Sequence, residues 1–196
     1  VGASFGWRTT TLPRLAAALA GPHLAARGQV VAGNLVLEAL CARILDEHAR
    51  TRRLGRFQRI SDRPGLVRAL ARTLREVRLA SVDVERLAHV DGELAPLLSA
   101  YEQALVDSQL ADRATVLATA TELARLGGDT LGLVAVPLLL LDVQVDHARE
   151  AELLEALAAR ARDLLAVHVE GDARTKSFLR GALASATREA RTPVSP

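Results

Sequence analysis

The residues of this chain best placed to do chemistry follow its most apolar run. Val134–Leu141 (V-A-V-P-L-L-L-L) ends at Asp142, with Asp146 and His147 just beyond. Carboxylates at the carboxyl end of a strand sit where α/β folds place phosphate, metal and acid–base chemistry. A metal would need further ligands, and His23, His48, His89, His147 and His168 form no H-E-x-x-H pair and no His-x3-His. Two carboxylates capping a turn and the next helix is the commoner arrangement, so no metal ligand is assigned. Two glycine motifs also fail on context. Gly2-Ala3-Ser4-Phe5-Gly6 matches the G-x-S-x-G elbow of hydrolases, but a β-type segment follows the serine where the elbow requires a helix. Gly171–Ser177 (G-D-A-R-T-K-S) lies between a strand and a helix as a phosphate loop would. Such a loop needs glycine before its lysine so that backbone N–H groups can wrap phosphate. Thr175 stands there, and Glu170 occupies the first glycine position.

The remaining candidates are arginines. Of 25 basic residues only Lys176 is a lysine. Arg50, Arg52, Arg53, Arg56, Arg59 and Arg63 form a belt suited to phosphate backbones, which guanidinium groups bind without reading bases. The plainer alternative is a solvated face, paired in part with the acids that follow. From Arg50 to Arg78 ten arginines meet only Asp62 and Glu76, a balance of +8. From Leu79 to Asp112 seven acids meet only Arg86, a balance of −6. The formal net charge of +2 thus conceals a bipolar chain. The isoelectric point near 9.3 overstates basicity, because few groups titrate between neutral pH and the arginine range.

Composition narrows the classes. A chain of 196 residues, 49% hydrophobic and 24% charged, can bury a core as one domain or one domain with a small appendage. Five aromatics are too few for the usual base-stacking platform of single-strand binders. The lone Cys41 excludes an intramolecular disulfide framework and a cysteine-based zinc or iron–sulfur site within this chain. No apolar run reaches about 18 residues and no signal-peptide pattern is present, so a cytoplasmic location without membrane contact is expected. Methionine is absent, the first position included, which suggests an excised fragment of a longer protein.

These residues must be positioned by a mainly helical chain. Ser4–Thr11 reads as a short strand, and Leu12-Pro13 starts a helix capped by Thr11 and stopped by Gly21-Pro22. A helix from about Asn34 to Ala49 carries Leu37, Leu40, Cys41, Ile44 and Leu45 on one face. Pro64 opens the next, with Leu66, Leu70, Leu74 and Val77 as its buried stripe and Arg68, Arg72 and Arg75 on another face. Helices follow near Val84–Ala88, Gly92–Ser108 and Ala111–Leu126. Val134–Leu141 then reads as a strand buried on both faces, Ala148–Arg162 as a helix, Leu164–Val169 as a second buried strand and Thr175–Ala190 as a last helix. The expected fold class is α/β but predominantly helical: a small parallel sheet interrupted by a long all-helical insert. Residues 1–20 and 127–190 form the α/β core, 21–126 the insert and 191–196 a loose tail.

Four segments, in order, resemble the core of UvrD/Rep-type superfamily 1 helicases. Thr11-Leu12-Pro13-Arg14-Leu15-Ala16 sits like that family's T-F-H-S-L-A motif, and Leu110–Leu117 (L-A-D-R-A-T-V-L) like its D-F-D-D-L stretch. Leu138–Asp146 (L-L-L-L-D-V-Q-V-D) is similar to the Walker B strand followed by D-E-x-Q-D, and Glu170–Ala182 to motif III. The resemblance implies a P-loop-type sheet and an insert corresponding to the family's 1B subdomain. It also marks departures. Asp142 is kept, but Val143 stands where the family's glutamate polarises the attacking water, and valine can neither accept a proton nor orient water. The motif III glutamine has no counterpart between Asp172 and Phe178, Leu12 and Pro13 replace the aromatic and histidine of T-F-H, and the Walker A lysine is absent. Asp142, Val143, Asp146 and Asp172 are therefore a vestigial nucleotide site.

Such degeneracy resembles the B-type subunits of AddAB-like helicase–nucleases, in which an inactivated helicase-like region precedes a PD-(D/E)XK nuclease. The resemblance implies a role in DNA double-strand-break processing, with ATP and magnesium relevant only to the parent protein. The expected function is a non-catalytic scaffold that holds single-stranded DNA by its backbone through Thr11 and the arginine belt, beside a partner subunit. The alternative is a helical module that docks a partner through its bipolar charge. A working nucleotide hydrolase would need an upstream phosphate loop and a substitute for Val143.

Overall fold

The structure is a computed structural model, and it describes residues 6–127, 132–167 and 173–182. In chain order the elements are α1 (Leu12–Ala26), β1 (Val30–Val31), α2 (Asn34–Arg50), a 3-10 helix (Gly55–Ile60), α3 (Pro64–Leu79), α4 (Val84–Val90) and α5 (Ala95–Asp107). They continue with β2 (Leu110–Ala111), α6 (Arg113–Leu126), β3 (Leu138–Leu141), α7 (Ala148–Arg160), β4 (Leu164–Val167) and α8 (Ala173–Ala182). The described residues are predominantly helical, with two small parallel two-stranded sheets.

Thr11 caps α1: its hydroxyl accepts the Arg14 N–H at 3.4 Å, and Pro13 occupies the first turn, where no N–H is needed. The expected stop at Gly21-Pro22 does not occur, and the helix runs on to Ala26. Pro22 is exposed, while Leu19, Ala20 and Leu24 are buried in a cluster shared with α6. An interior proline costs about 3 kcal/mol, which burial of Leu19 and Leu24, at about 1.5–3 kcal/mol each, offsets. The strand expected over Ser4–Thr11 is not formed over its described part. Gly6–Thr11 is irregular and exposed, because β-branched residues make a strand only where a neighbour supplies the ladder. Ser4 and Phe5, and with them Gly2-Ala3-Ser4, lie outside the described residues.

The insert helices have their own core. All five residues expected on the apolar face of α2 are buried, and they pack with Leu54, Leu70, Leu74, Leu97, Leu98 and Tyr101 from the elements that follow. Burial, aided by the negative charge of Glu38 and opposed by Arg75, pushes the Cys41 thiol up to about 12. A second core joins α1, α6 and α7 through Leu24, Leu117, Ala120, Leu153 and Leu157. Thus α6 packs with α1 and α7, although it lies within the segment expected as insert.

The strands depart from expectation in two ways. First, the described residues hold two separate parallel pairs where one interrupted sheet was expected. At the neck of the insert β1 pairs with β2, Val30 opposite Leu110 and Val31 opposite Ala111. These two-residue strands carry too short a pattern to be read from sequence. Second, the run from Val134 forms a strand only over Leu138–Leu141, paired with β4 from Leu138 opposite Leu164 to Leu141 opposite Val167. Pro137 has no N–H to give a ladder and Ala135 lies at φ +63°, so pairing starts after them. Neither strand is buried on both faces. Leu138, Leu140, Leu164 and Ala166 pack toward α7, whereas Leu141 and Leu165 are each 62% exposed and Val167 50%. The strand–helix–strand unit is nonetheless the parallel βαβ arrangement that the sequence predicts. Among the described residues no helix is long and apolar enough to cross a membrane.

Candidate functional site

The arginine belt runs from the last residue of α2 through the 3-10 helix to the start of α3. Leu54, 1% exposed, anchors this stretch in the insert core. Around it the backbone turns sharply, with Arg52 at φ +53° and Gly55 at φ +52°. Arg53 donates its N–H to the His48 carbonyl at 2.8 Å, and Gln58 Nε2 donates to the Ala49 carbonyl at 3.2 Å, folding the stretch back onto α2.

The belt side chains divide by partner. Arg50 pairs with Asp46 one turn earlier, and Arg63 Nε lies 3.7 Å from Asp62, both in solvent. Pairs this exposed contribute little. Arg56 is held across space: Nη2 donates to Asp91, Nη1 lies 3.1 Å from Glu93 Oε2, and its backbone N–H donates to Glu93 Oε1 at 3.1 Å. Its guanidinium also sits 4.6 Å from the centre of the Phe57 ring. The hydrogen bond from Arg56 holds the Asp91 carboxyl below the usual carboxylate range against the opposing effect of burial, aided by the Leu94 and Glu93 N–H groups and by the charge of Arg56. Arg52, Arg53 and Arg59 are exposed, and no acid lies within 4 Å of them among the described residues.

The acids that follow the belt mostly work inward. Arg78 at the end of α3 reaches Glu102 of α5 and grips Asp112: Nε donates to Oδ2 at 2.9 Å and Nη2 to Oδ1 at 3.3 Å. Asp112 also caps α6, accepting the Thr115 N–H at 2.9 Å and its hydroxyl at 2.8 Å. Burial by itself would raise the Asp112 carboxyl. The hydrogen bonds and charge of Arg78, with those of Thr115, outweigh it and leave the group below its ordinary value. For Arg78, burial likewise opposes the charged form, and its acidic partners outweigh it. The D-R-A-T stretch that resembles a helicase motif is thus, in this chain, a helix cap and an ion-pair anchor. Beside it a cleft of about 510 Å³ opens between the insert and α6–α7, bordered by Arg78, Asp83, Glu102, Thr115, Glu122 and Arg149. Both arginines are paired with acids, which leaves the cleft a poor host for phosphate.

The residues expected to form a vestigial nucleotide site are only partly described. Asp142 is exposed at the carboxyl end of β3, in left-handed backbone at φ +46°, and its N–H donates to the Val167 carbonyl at 2.7 Å. Val143 packs against the cluster of Leu140, Val145, Ala151 and Leu154. The loop carrying Asp146 and His147 is held from within α7. The buried Glu150 accepts the N–H of Asp146 at 3.0 Å and of His147 at 3.1 Å through Oε2, while Oε1 pairs with Arg113. The Thr175 hydroxyl accepts the Val145 N–H at 3.2 Å. From the first turn of α7, Glu150 thus reaches back to both backbone N–H groups that precede the helix. Glu170, Gly171 and Asp172 lie outside the described residues. Among those described, no three His, Cys, Asp or Glu side chains gather as a metal-ligand set. The apolar side chain of Val143, next to Asp142, can neither accept a proton nor orient a water.

The sequence-predicted residues thus fall into two groups. Asp142, Val143 and Asp146 share one loop, and Leu12, next to Thr11, packs against the same cluster as Val143. The belt lies on the outside of the insert, tied to its core at Leu54, and no hydrogen bond or ion pair joins it to Thr11 among the described residues. Sequence reasoning missed Gly55, Asp91, Glu93 and Glu150. The spacing His147-x-x-Glu150 was a readable capping signal, and the charge bipolarity announced internal pairing without naming partners. No protein-family model matches the chain, and no curated protein matches it significantly.

Proposed function

We propose that this chain is a non-catalytic, helicase-like DNA-binding scaffold from a cytoplasmic, ATP-dependent helicase–nuclease that processes DNA double-strand breaks, and that it holds single-stranded DNA by its backbone. One observation carries the binding role: Arg52, Arg53 and Arg59 stay exposed and, among the described residues, free of acids, while Arg56 and Arg78 take up Asp91, Glu93, Glu102 and Asp112. The parallel β3–α7–β4 unit with Asp142 at its carboxyl end supports a P-loop-type ancestry, and Val143 supports loss of hydrolysis. The partner-docking alternative has less support, because four of the seven acids in its negative pole are paired with Arg56 or Arg78.

The test is fluorescence anisotropy of a labelled oligo(dT) titrated with the wild type and with the R52A/R53A/R59A variant between 50 and 200 mM salt. Each phosphate contact adds about 0.7 to the slope of log affinity against log salt for single strands, so losing three lowers it by about 2. Over that fourfold salt range the wild type should lose about 18-fold more affinity than the variant. An unchanged slope, or no binding by the wild type at 50 mM salt, refutes the assignment.

A further inference from the structure

Two carboxylates sit beside the arginine belt, where their charge opposes the binding of any phosphate. We propose that Asp91 and Glu93 are positioning residues for the belt, fixing the Arg52–Arg59 stretch so that its free guanidinium groups project together; this role rests on the DNA-binding reading above.

The stretch needs an external support. None of the six residues of its 3-10 helix is buried, and Leu54 is the anchor that ties it to the insert core. Two sharp left-handed turns, at Arg52 and Gly55, leave its path poorly determined by helix bonds alone. The turn joining α4 to α5 supplies what is missing. Asp91 is oriented by its own backbone, with Oδ1 accepting the N–H of Glu93 at 3.2 Å and of Leu94 at 3.1 Å, which leaves Oδ2 for Arg56. Glu93 takes both the backbone N–H and the guanidinium of Arg56.

Gly55 shows how closely the two parts fit. A Cβ there would collide with Glu93 Oε1, so the carboxylate occupies the space beside this residue. Glycine suits this position by its φ of +52°, and an added side chain would have to displace the Glu93 carboxylate from Arg56. Arg56, consumed by the two carboxylates, is then the tether of the belt, while Arg52, Arg53 and Arg59 are its contacts. The lowered carboxyl of Asp91 agrees with a bracket kept charged.

The sign of the mutational effect separates this role from simple repulsion. Removing a carboxylate near a phosphate site raises affinity if charge alone matters, but lowers it if the carboxylate holds the arginines in place. Oligo(dT) binding is measured for wild type, Glu93→Gln, the charge-preserving Glu93→Asp and Gly55→Ala, with circular dichroism melts to show that each variant is folded. The expected result is a three- to tenfold loss of affinity in all three, a salt slope shifted toward that of R52A/R53A/R59A, and faster amide exchange over residues 51–60. In the R52A/R53A/R59A background, Glu93→Asp should have no further effect. Unchanged binding in Glu93→Asp, or tighter binding in Glu93→Gln, overturns the positioning role while leaving the DNA reading intact. Absence of oligo(dT) binding by the wild type overturns both, whatever amide exchange over 51–60 shows.

Discussion

Replacing Arg78 with methionine removes a guanidinium from the junction of the insert and the second core while keeping much of its apolar stem. The side chains of Arg78 and Asp112 are 16% and 2% exposed, so their attraction is little screened, whereas the Glu102 limb, at 38%, is weaker. In the variant Asp112 keeps the Thr115 N–H and hydroxyl but has no counter-charge. Stranding one partner of a buried pair costs about 3–5 kcal/mol, and the surviving Thr115 bonds place this case near about 3 kcal/mol. For a chain of this length that corresponds to a Tm lowered by about 6–12 °C, read by circular dichroism with urea melts alongside.

The pH dependence gives the same argument a second readout. Asp112 in the folded protein titrates below its unfolded value of about 3.9, so the unfolded chain takes up its proton first as pH falls. The pair's contribution is therefore complete above about pH 5 and is lost as pH falls through the folded-state value. In Arg78→Met, burial of the unpaired carboxyl favours its protonated form, so the gap between wild type and variant should close on acidification. A Tm within about 2 °C of wild type at pH 7 would show that the pair contributes nothing net. A gap that stayed constant between pH 7 and pH 3 would show that Asp112 is not the ionised partner.

Two further outcomes test the packing. Cys41, buried with its thiol pushed up to about 12, should resist a disulfide-exchange reagent at pH 8 in the folded protein and react at once in urea; rapid reaction without denaturant would place it outside the core. On the β3–β4 pair, Leu165→Glu should change stability by less than about 0.5 kcal/mol, whereas Leu164→Glu, one residue away on the packed face, should cost more than about 2 kcal/mol. Equal effects in urea melts would refute the strand register.

Much of the helical framework was legible because its signal is periodic. The face of α2 is set by Leu37, Leu40, Cys41, Ile44 and Leu45, whereas α6, expected from Ala111, starts at Arg113 after the Asp112 cap because Ala111 pairs in β2. Local rules failed where tertiary contacts overrode them. Pro22 is tolerated because Leu19 and Leu24 flank it with buried contacts to α6. The opening β-type segment forms no strand over its described residues, and β1 and β2 form because the neck of the insert brings Val30 to Leu110. The belt was legible as a cluster of arginines, but not its bracket, since Asp91 and Glu93 lie more than thirty residues from Arg56 and only the fold brings them together.

The bipolar charge is where sequence and fold inform each other most. A chain with +8 followed by −6 could present both poles to solvent, or cancel them by internal pairing. This fold does neither evenly. Carboxylates are short and suit helix N-termini, so Asp83 and Asp112 are taken up as caps, and Asp91, Glu93 and Glu102 as anchors for two arginines. Arginines, with long stems and a fork no helix terminus of this region employs, stay outside unless a specific acid holds them. The acids thus stabilise the insert and its junction, and the exposed remainder around residues 52–59 is positive. A surface left positive because its counter-charges are structural cannot be neutralised by rearranging side chains without loosening the fold. That is the property a phosphate-backbone site needs in order to stay available to its ligand.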